Sequence, residues 1–106
     1  MLLLTLGIVP SGTAALAGEE HVVIILEDAY FPQKTVLKQG DVVRFVNESG
    51  RPHAVFHAAG LWATRPIAKG AELLVTIEPE MSGVFYGISG QKITGQLDLI
   101  PPHVAD

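Results

Sequence analysis

The sequence has 106 residues, which is enough for one domain with or without a targeting segment. Its formal net charge is −4, with only seven Lys and Arg residues, so it lacks the basic surface that nucleic-acid binding requires. It contains no cysteine, which excludes a disulfide, a thiolate metal ligand and a cysteine nucleophile.

The segment 1–17 contains no charged residue and predicts a secretory signal. Its apolar run over residues 2–9 is followed by Ala15-Leu16-Ala17, an A-x-A pattern typical of a signal cleavage site. The run is shorter than the roughly 20 apolar residues that span a bilayer. No Lys or Arg precedes the run, which departs from the usual signal pattern. The alternatives to an export signal are an uncleaved anchor and a buried strand. We therefore expect residues 18–106 to form one exported domain, periplasmic or extracellular, without a membrane span.

Short β-strands separated by Gly and Pro fill the remainder of the chain. The strands are predicted at residues 21–26, 35–37, 41–47, 53–57, 71–78, 84–86 and 95–100. No segment after residue 17 shows a helical period. This spacing is typical of an all-β antiparallel sandwich or barrel.

The chain contains five short motifs in the order and spacing that they have in one protein family. They are Tyr30-Phe31-Pro32, Gly40-Asp41-Val42-Val43-Arg44-Phe45-Val46-Asn47, Pro52-His53-Ala54-Val55, Ile67-Ala68-Lys69-Gly70-Ala71-Glu72 and Gly95-Gln96-Leu97-Asp98-Leu99-Ile100. In these motifs the chain resembles the cupredoxins, such as plastocyanin and amicyanin. The resemblance covers residues 22–100 and implies a Greek-key β-sandwich of eight or fewer strands. It also implies descent from proteins that hold a type 1 copper ion.

The copper ligands of that family are absent from this sequence. A type 1 site needs two His, a Cys thiolate and usually a distant Met. The first His matches His53, whereas aligning the family's final glycine with Gly95 places its Cys, second His and Met on Gly87, Gly90 and Ile93. Without a thiolate, the resemblance implies neither a blue copper site nor the family's electron transfer. We expect no cofactor, with copper only in a site that is not type 1.

The longer loop of plastocyanin places the Cys position near Phe85 instead, and the conclusion is the same. We expect glycine at position 87 to leave space beside His53 for a metal with external ligands, or for a partner's side chain. The alternative is that His53 is a remnant, hydrogen-bonded to a loop at the edge of the sandwich.

Three further residues are weaker candidates for metal ligands. His57 shares a strand face with His53, but at ~3.3 Å per residue the two Cα atoms lie about 13 Å apart, too far to share one ion. His21 forms an amino-terminal chelate only if it is third in the mature chain. Met81 is a soft ligand suited to Cu(I), and its alternative role is packing.

Trp62 and Arg65, in the long connection before residue 70, are the candidate surface for a partner. The alternative is that Trp62 covers one end of the sandwich. We expect a protein without enzymatic activity that acts as a binding or scaffold module, with another exported or membrane protein as its partner. The alternative function is copper binding or handling through His53.

Overall fold

The structure is a computed structural model that describes residues 18–88 and 92–101. The predicted signal at residues 1–17 lies outside the described residues. The strands are β1 Glu20–Ile25, β2 Tyr30–Phe31, β3 Lys34–Leu37, β4 Val42–Asn47, β5 Phe56–His57, β6 Glu72–Thr76, β7 Gly83–Ile88 and β8 Lys92–Leu99. A 3₁₀ turn at Pro79–Met81 precedes β7. None of the helical structure in the described ranges is long and apolar enough to cross a membrane.

The strands form two four-stranded sheets, in the orders β2-β1-β4-β6 and β3-β8-β7-β5. The predicted all-β sandwich is therefore confirmed, but the sheets are mixed rather than antiparallel. β1 runs parallel to β4, and β3 runs parallel to β8. The reason is that the chain leaves the first sheet after β2, contributes β3 to the second sheet, and returns with β4 beside β1. Such crossovers allow parallel neighbours that direct hairpins do not.

The inward faces of both sheets follow the alternation of their sequences. In β4 the buried positions are Val43, Phe45 and Asn47, and in β8 they include Ile93 and Leu97. Phe85 of β7 lies at the centre, with its ring centroid 4.7 Å from that of Tyr30 and 5.9 Å from that of Phe45.

Gly95 is required by this packing, because a Cβ there would lie 2.4 Å from Cζ of Phe85. Interiors packed at crystal density cannot absorb such an overlap without moving the ring. Gly95, the first residue of the last sequence motif, thus makes room for the central aromatic side chain.

Most strands differ from the predicted ranges only at their ends, but two segments differ more. The predicted strand 53–57 is reduced to β5 and one isolated bridge, in which His53 and Ile67 exchange backbone hydrogen bonds of 3.0 and 2.8 Å. Tyr30 and Phe31, which lie between the predicted strands 21–26 and 35–37, form β2 and pair with the end of β1. Both differences depend on which residues pair with one another, which the alternation within a single strand does not reveal.

Candidate functional site

His53 is fixed at one end of the sandwich by the loop that follows β4. The Asn47 side-chain amide donates to the carbonyl oxygens of Arg51 and Ile67 at 2.9 and 2.8 Å. Since Ile67 also pairs with the backbone of His53, Asn47 ties together the two segments that hold the imidazole. The ring of His53 is only 1% exposed.

The buried Tyr30 hydroxyl lies 2.6 Å from Nε2 of His53. We assign the hydroxyl as donor and Nε2 as acceptor, which places the imidazole proton on Nδ1. That leaves one buried group without a partner, the Nδ1–H. The opposite assignment would leave both the Tyr30 O–H and the Nδ1 lone pair unsatisfied, and each buried unsatisfied group costs about 1–3 kcal/mol.

Burial favours the uncharged forms of both Tyr30 and His53. Desolvation raises the pKa of Tyr30 well above its ordinary value and lowers the pKa of His53. The pair is therefore a neutral phenol bonded to a neutral imidazole, and neither ring nitrogen of His53 offers a free lone pair.

Glycine at position 87 does not leave an empty space. A Cβ built on Gly87 would lie 2.1 Å from Nε2 of His53 and 2.5 Å from the hydroxyl of Tyr30. The expectation of a vacant slot is therefore wrong. The imidazole and the phenol occupy the volume that any side chain at position 87 would need.

The other positions matched to lost ligands do not supply donors. Ile93 is a core residue, 4% exposed, and Gly90 lies outside the described residues. Met81 is buried in the 3₁₀ turn, where its sulfur accepts the backbone N–H of Glu78 at 3.3 Å. With no thiolate in the sequence and the volume at Gly87 filled, the residues present do not fit a type 1 copper ion.

His57 is engaged at both ring nitrogens. Its Nε2 donates to the carbonyl oxygen of Ser82 at 2.9 Å, and its Nδ1 accepts the backbone N–H of Leu61 at 3.3 Å. The ring also lies against Trp62, with centroids 5.9 Å apart. These contacts assign His57 to packing and leave no lone pair for a metal.

His21 belongs to an acidic cluster at the other end of β4. In the described ranges, Glu19, His21 and Asp41 are the only three potential ligand residues whose donor atoms lie within 4.8 Å of one another. The buried Asp41 carboxylate accepts from Nε2 of His21 at 2.9 Å and from the backbone N–H groups of Glu19 and Lys38, each at 3.0 Å. Asp41 thus uses three of its roughly four acceptor sites to hold the start of β1 against the turn before β4.

The amino-terminal chelate predicted for His21 conflicts with this arrangement. Glu20 and His21 pair in register with Val42 and Val43 of β4. A chelate through backbone nitrogens would break that pairing and the bond to Asp41 as well.

Trp62 and Arg65, the predicted surface for a partner, lie in different surroundings. Trp62 is half-buried, its Nε1–H donates to the carbonyl oxygen of Met81 at 3.3 Å, and its ring packs 6.1 Å from Phe85. These contacts pack Trp62 against the hydrophobic core. Arg65 is exposed and lines a groove of about 220 Å³ beside β6.

Sequence reasoning missed Tyr30 as part of the site and Asp41 as the acceptor for His21. In the sequence, Tyr30 is part of the Tyr30-Phe31-Pro32 motif and lies between two predicted strands. Its one available signal is chemical, since a buried tyrosine needs a hydrogen-bond partner. Nothing local identifies His53 as that partner, 23 residues away.

Comparison with known proteins supports the fold through structure rather than sequence. No protein-family model and no curated protein matches the chain. A purple cupredoxin from Nitrosopumilus maritimus superposes with a TM-score of 0.57 at 18% identity, covering 76% of this chain and 99% of its own. A pseudoazurin from Sinorhizobium meliloti gives 0.55 at 22% identity, covering 79% and 76%.

An auracyanin from Roseiflexus castenholzii gives a TM-score of 0.53 at 15% identity, covering 80% of this chain and 99% of its own. At these identities the likeness concerns the fold. The chain has the cupredoxin fold, as the motifs predicted, without the cysteine of a type 1 site.

Proposed function

We propose that the chain is an exported, copper-free β-sandwich that serves as a binding or scaffold module, without enzymatic activity, in a larger periplasmic or membrane-associated assembly. The observation that carries the proposal is the Tyr30–His53 pair at Gly87. A metal-free sandwich retains the rigid core and exposed edges that a binding module uses, whereas it loses the thiolate-dependent redox chemistry.

The alternative function, copper binding or handling at His53, rests on one observation. Nδ1 of His53 is buried without a partner while Nε2 is held by Tyr30. Histidine ligands are commonly fixed through their second nitrogen in this way. To bind copper, the hydrogen bond would have to reverse, with Nε2–H donating to the Tyr30 oxygen so that Nδ1 loses its proton.

A copper titration separates the two functions. The full chain would be titrated with Cu(II) in air and with Cu(I) under anaerobic conditions, then gel-filtered and examined by metal analysis and, for Cu(II), by EPR. The copper-free proposal predicts that no stoichiometric copper survives gel filtration. One retained equivalent that is lost in a folded His53→Ala variant, but kept in His57→Ala, would overturn the proposal in favour of copper handling.

The same titration includes His21→Ala as a further variant. Copper that is retained by the wild type and lost only in His21→Ala would also contradict a copper-free module. It would place the ion in the cluster with Glu19 and Asp41 instead.

A further inference from the structure

We propose that the groove beside β6 binds an extended segment of a partner protein, which adds a strand to the sheet and presents one carboxylate to Arg65. This inference rests on the proposed function, because it identifies the kind of ligand that the module binds. The groove is defined by Arg65, Pro66, Ile67, Ala71, Glu72 and Leu73.

β6 is an edge strand with one unpaired side. In the described ranges it pairs only with β4, in an antiparallel register that sets Val43 opposite Val75 and Phe45 opposite Leu73. Just beyond β6, Ile77 and Asp41 are joined by a backbone hydrogen bond of 2.8 Å. Antiparallel pairing alternates, so the odd-numbered residues 73 and 75 bond to β4, and Glu72, Leu74 and Thr76 direct their N–H and C=O groups away from the sheet.

The facing wall of the groove comes from the connection that closes this side of the sandwich. Its backbone is held to β5 and to the residue before it, by hydrogen bonds from Thr64 N–H to the Val55 oxygen and from His57 N–H to the Trp62 oxygen, each 2.9 Å long. The groove lies between this connection and the beginning of β6. An added strand can use backbone hydrogen bonds on one side and pockets for alternate side chains on the other, as in strand addition to other sheet edges.

The charges of the groove specify the ligand further. Glu72 pairs with Arg44, which also pairs with Glu20, so these three side chains together carry a charge of −1. Arg65 is exposed, and no carboxylate in the described ranges forms an ion pair with it. Since the chain carries a net charge of −4, a uniformly acidic partner would be repelled. The groove thus favours a single acidic side chain near Arg65.

The apolar lining defines the other positions of the segment. Ile67 and Leu73 line the groove, and Leu74 is 54% exposed on the outer face beside the free edge. A strand placed there would bury apolar side chains against both surfaces at alternate positions. We infer an extended segment with apolar residues at alternate positions and one Asp or Glu.

Fluorescence anisotropy with synthetic peptides tests the inference on the full chain. The labelled probes are eight-residue peptides that share an alternating Val and Thr pattern and carry Glu, Gln or Lys at one central position. We expect the Glu peptide to bind and Arg65→Glu to weaken it about tenfold, while the Lys peptide binds Arg65→Glu better than the wild type. Arg51→Glu makes the same charge change at an exposed site outside the groove and should leave the preference for Glu unchanged.

A second variant tests strand addition separately from charge. Leu74→Pro removes an N–H group that points away from β4, which edge strands tolerate, so the fold should persist and peptide binding should be lost. Three results would overturn the inference. They are binding that does not depend on the peptide's charge, an equal loss of affinity for the Glu peptide in Arg65→Glu and Arg51→Glu, and full binding by folded Leu74→Pro. Self-association of the chain that is abolished by Leu74→Pro would overturn it as well, because the occupant would then be a second copy.

The two proposals fail in different ways. Stoichiometric copper at His53 with normal peptide binding would overturn the copper-free function and leave the groove intact. A copper-free chain that binds none of the peptides would overturn the groove alone.

Discussion

Gly87 is packed closely against two buried side chains. His53 and Tyr30 fill the volume beside this glycine, so a side chain added at position 87 would overlap both of them.

A double-mutant cycle tests this coupling. We expect Gly87→Ala alone to lower the free energy of unfolding by about 1–3 kcal/mol, because the new methyl group overlaps the His53 ring. In a His53→Ala background the methyl group enters the space left by the imidazole, so the same substitution should cost less, with a coupling energy of about 1–3 kcal/mol. Urea unfolding of the four proteins at pH 7 measures it.

The His53→Ala background is the internal control, because the intrinsic cost of replacing a strand glycine by alanine is the same in both backgrounds. Additive effects of Gly87→Ala and His53→Ala would show that the two positions do not share one volume.

At the scale of elements, Asp41 joins the beginnings of β1 and β4. Burial alone would raise the pKa of its carboxyl, but hydrogen bonds from His21 and from the backbone of Lys38 and Glu19 outweigh that effect and hold the pKa below its ordinary value. A carboxyl with a lower pKa in the folded state stabilises the fold above its unfolded pKa of about 3.9. That stabilisation is lost as pH falls through the folded pKa.

Asp41→Asn therefore should destabilise the protein at pH 7 and have little effect in acid. Hydrogen bonds to a charged group contribute about 1.5–3 kcal/mol, so we expect a loss of this order in the free energy of unfolding at pH 7. The wild type and the variant should converge as pH falls below about 4. Urea unfolding across this range measures the difference, with Asp28→Asn at an exposed position as the matched control. A difference that stays constant with pH would contradict the role assigned to the carboxylate.

For the whole molecule, the sequence predicted the sandwich because its alternation and five motifs are spread over almost the entire fold. Strands such as β4 carry their burial pattern in their own residues. The parallel pairing of β1 with β4 was not predictable in this way, since it depends on the route that the chain takes between sheets. The residue pattern of a single strand does not indicate which strands lie beside it.

The site was predicted less completely for the same reason. His53 could be aligned and the absence of cysteine could be read directly. That Tyr30 reaches the imidazole, and that both fill the space at Gly87, are consequences of packing between β2, β7 and the loop after β4. Trp62 and Arg65 lie three residues apart, yet one packs against the core and the other lines a groove.

The central claim is that His53, held by Tyr30, has no ring nitrogen free to bind a metal. Nitrogen-15 NMR of the His53 ring, before and after one equivalent of Cu(I) under anaerobic conditions, tests this claim most directly. We expect a proton on Nδ1, a hydrogen-bonded and unprotonated Nε2, and no change in either shift when Cu(I) is added. Loss of the Nδ1 proton with transfer of protonation to Nε2 on adding Cu(I) would contradict the claim, because His53 would then be a ligand.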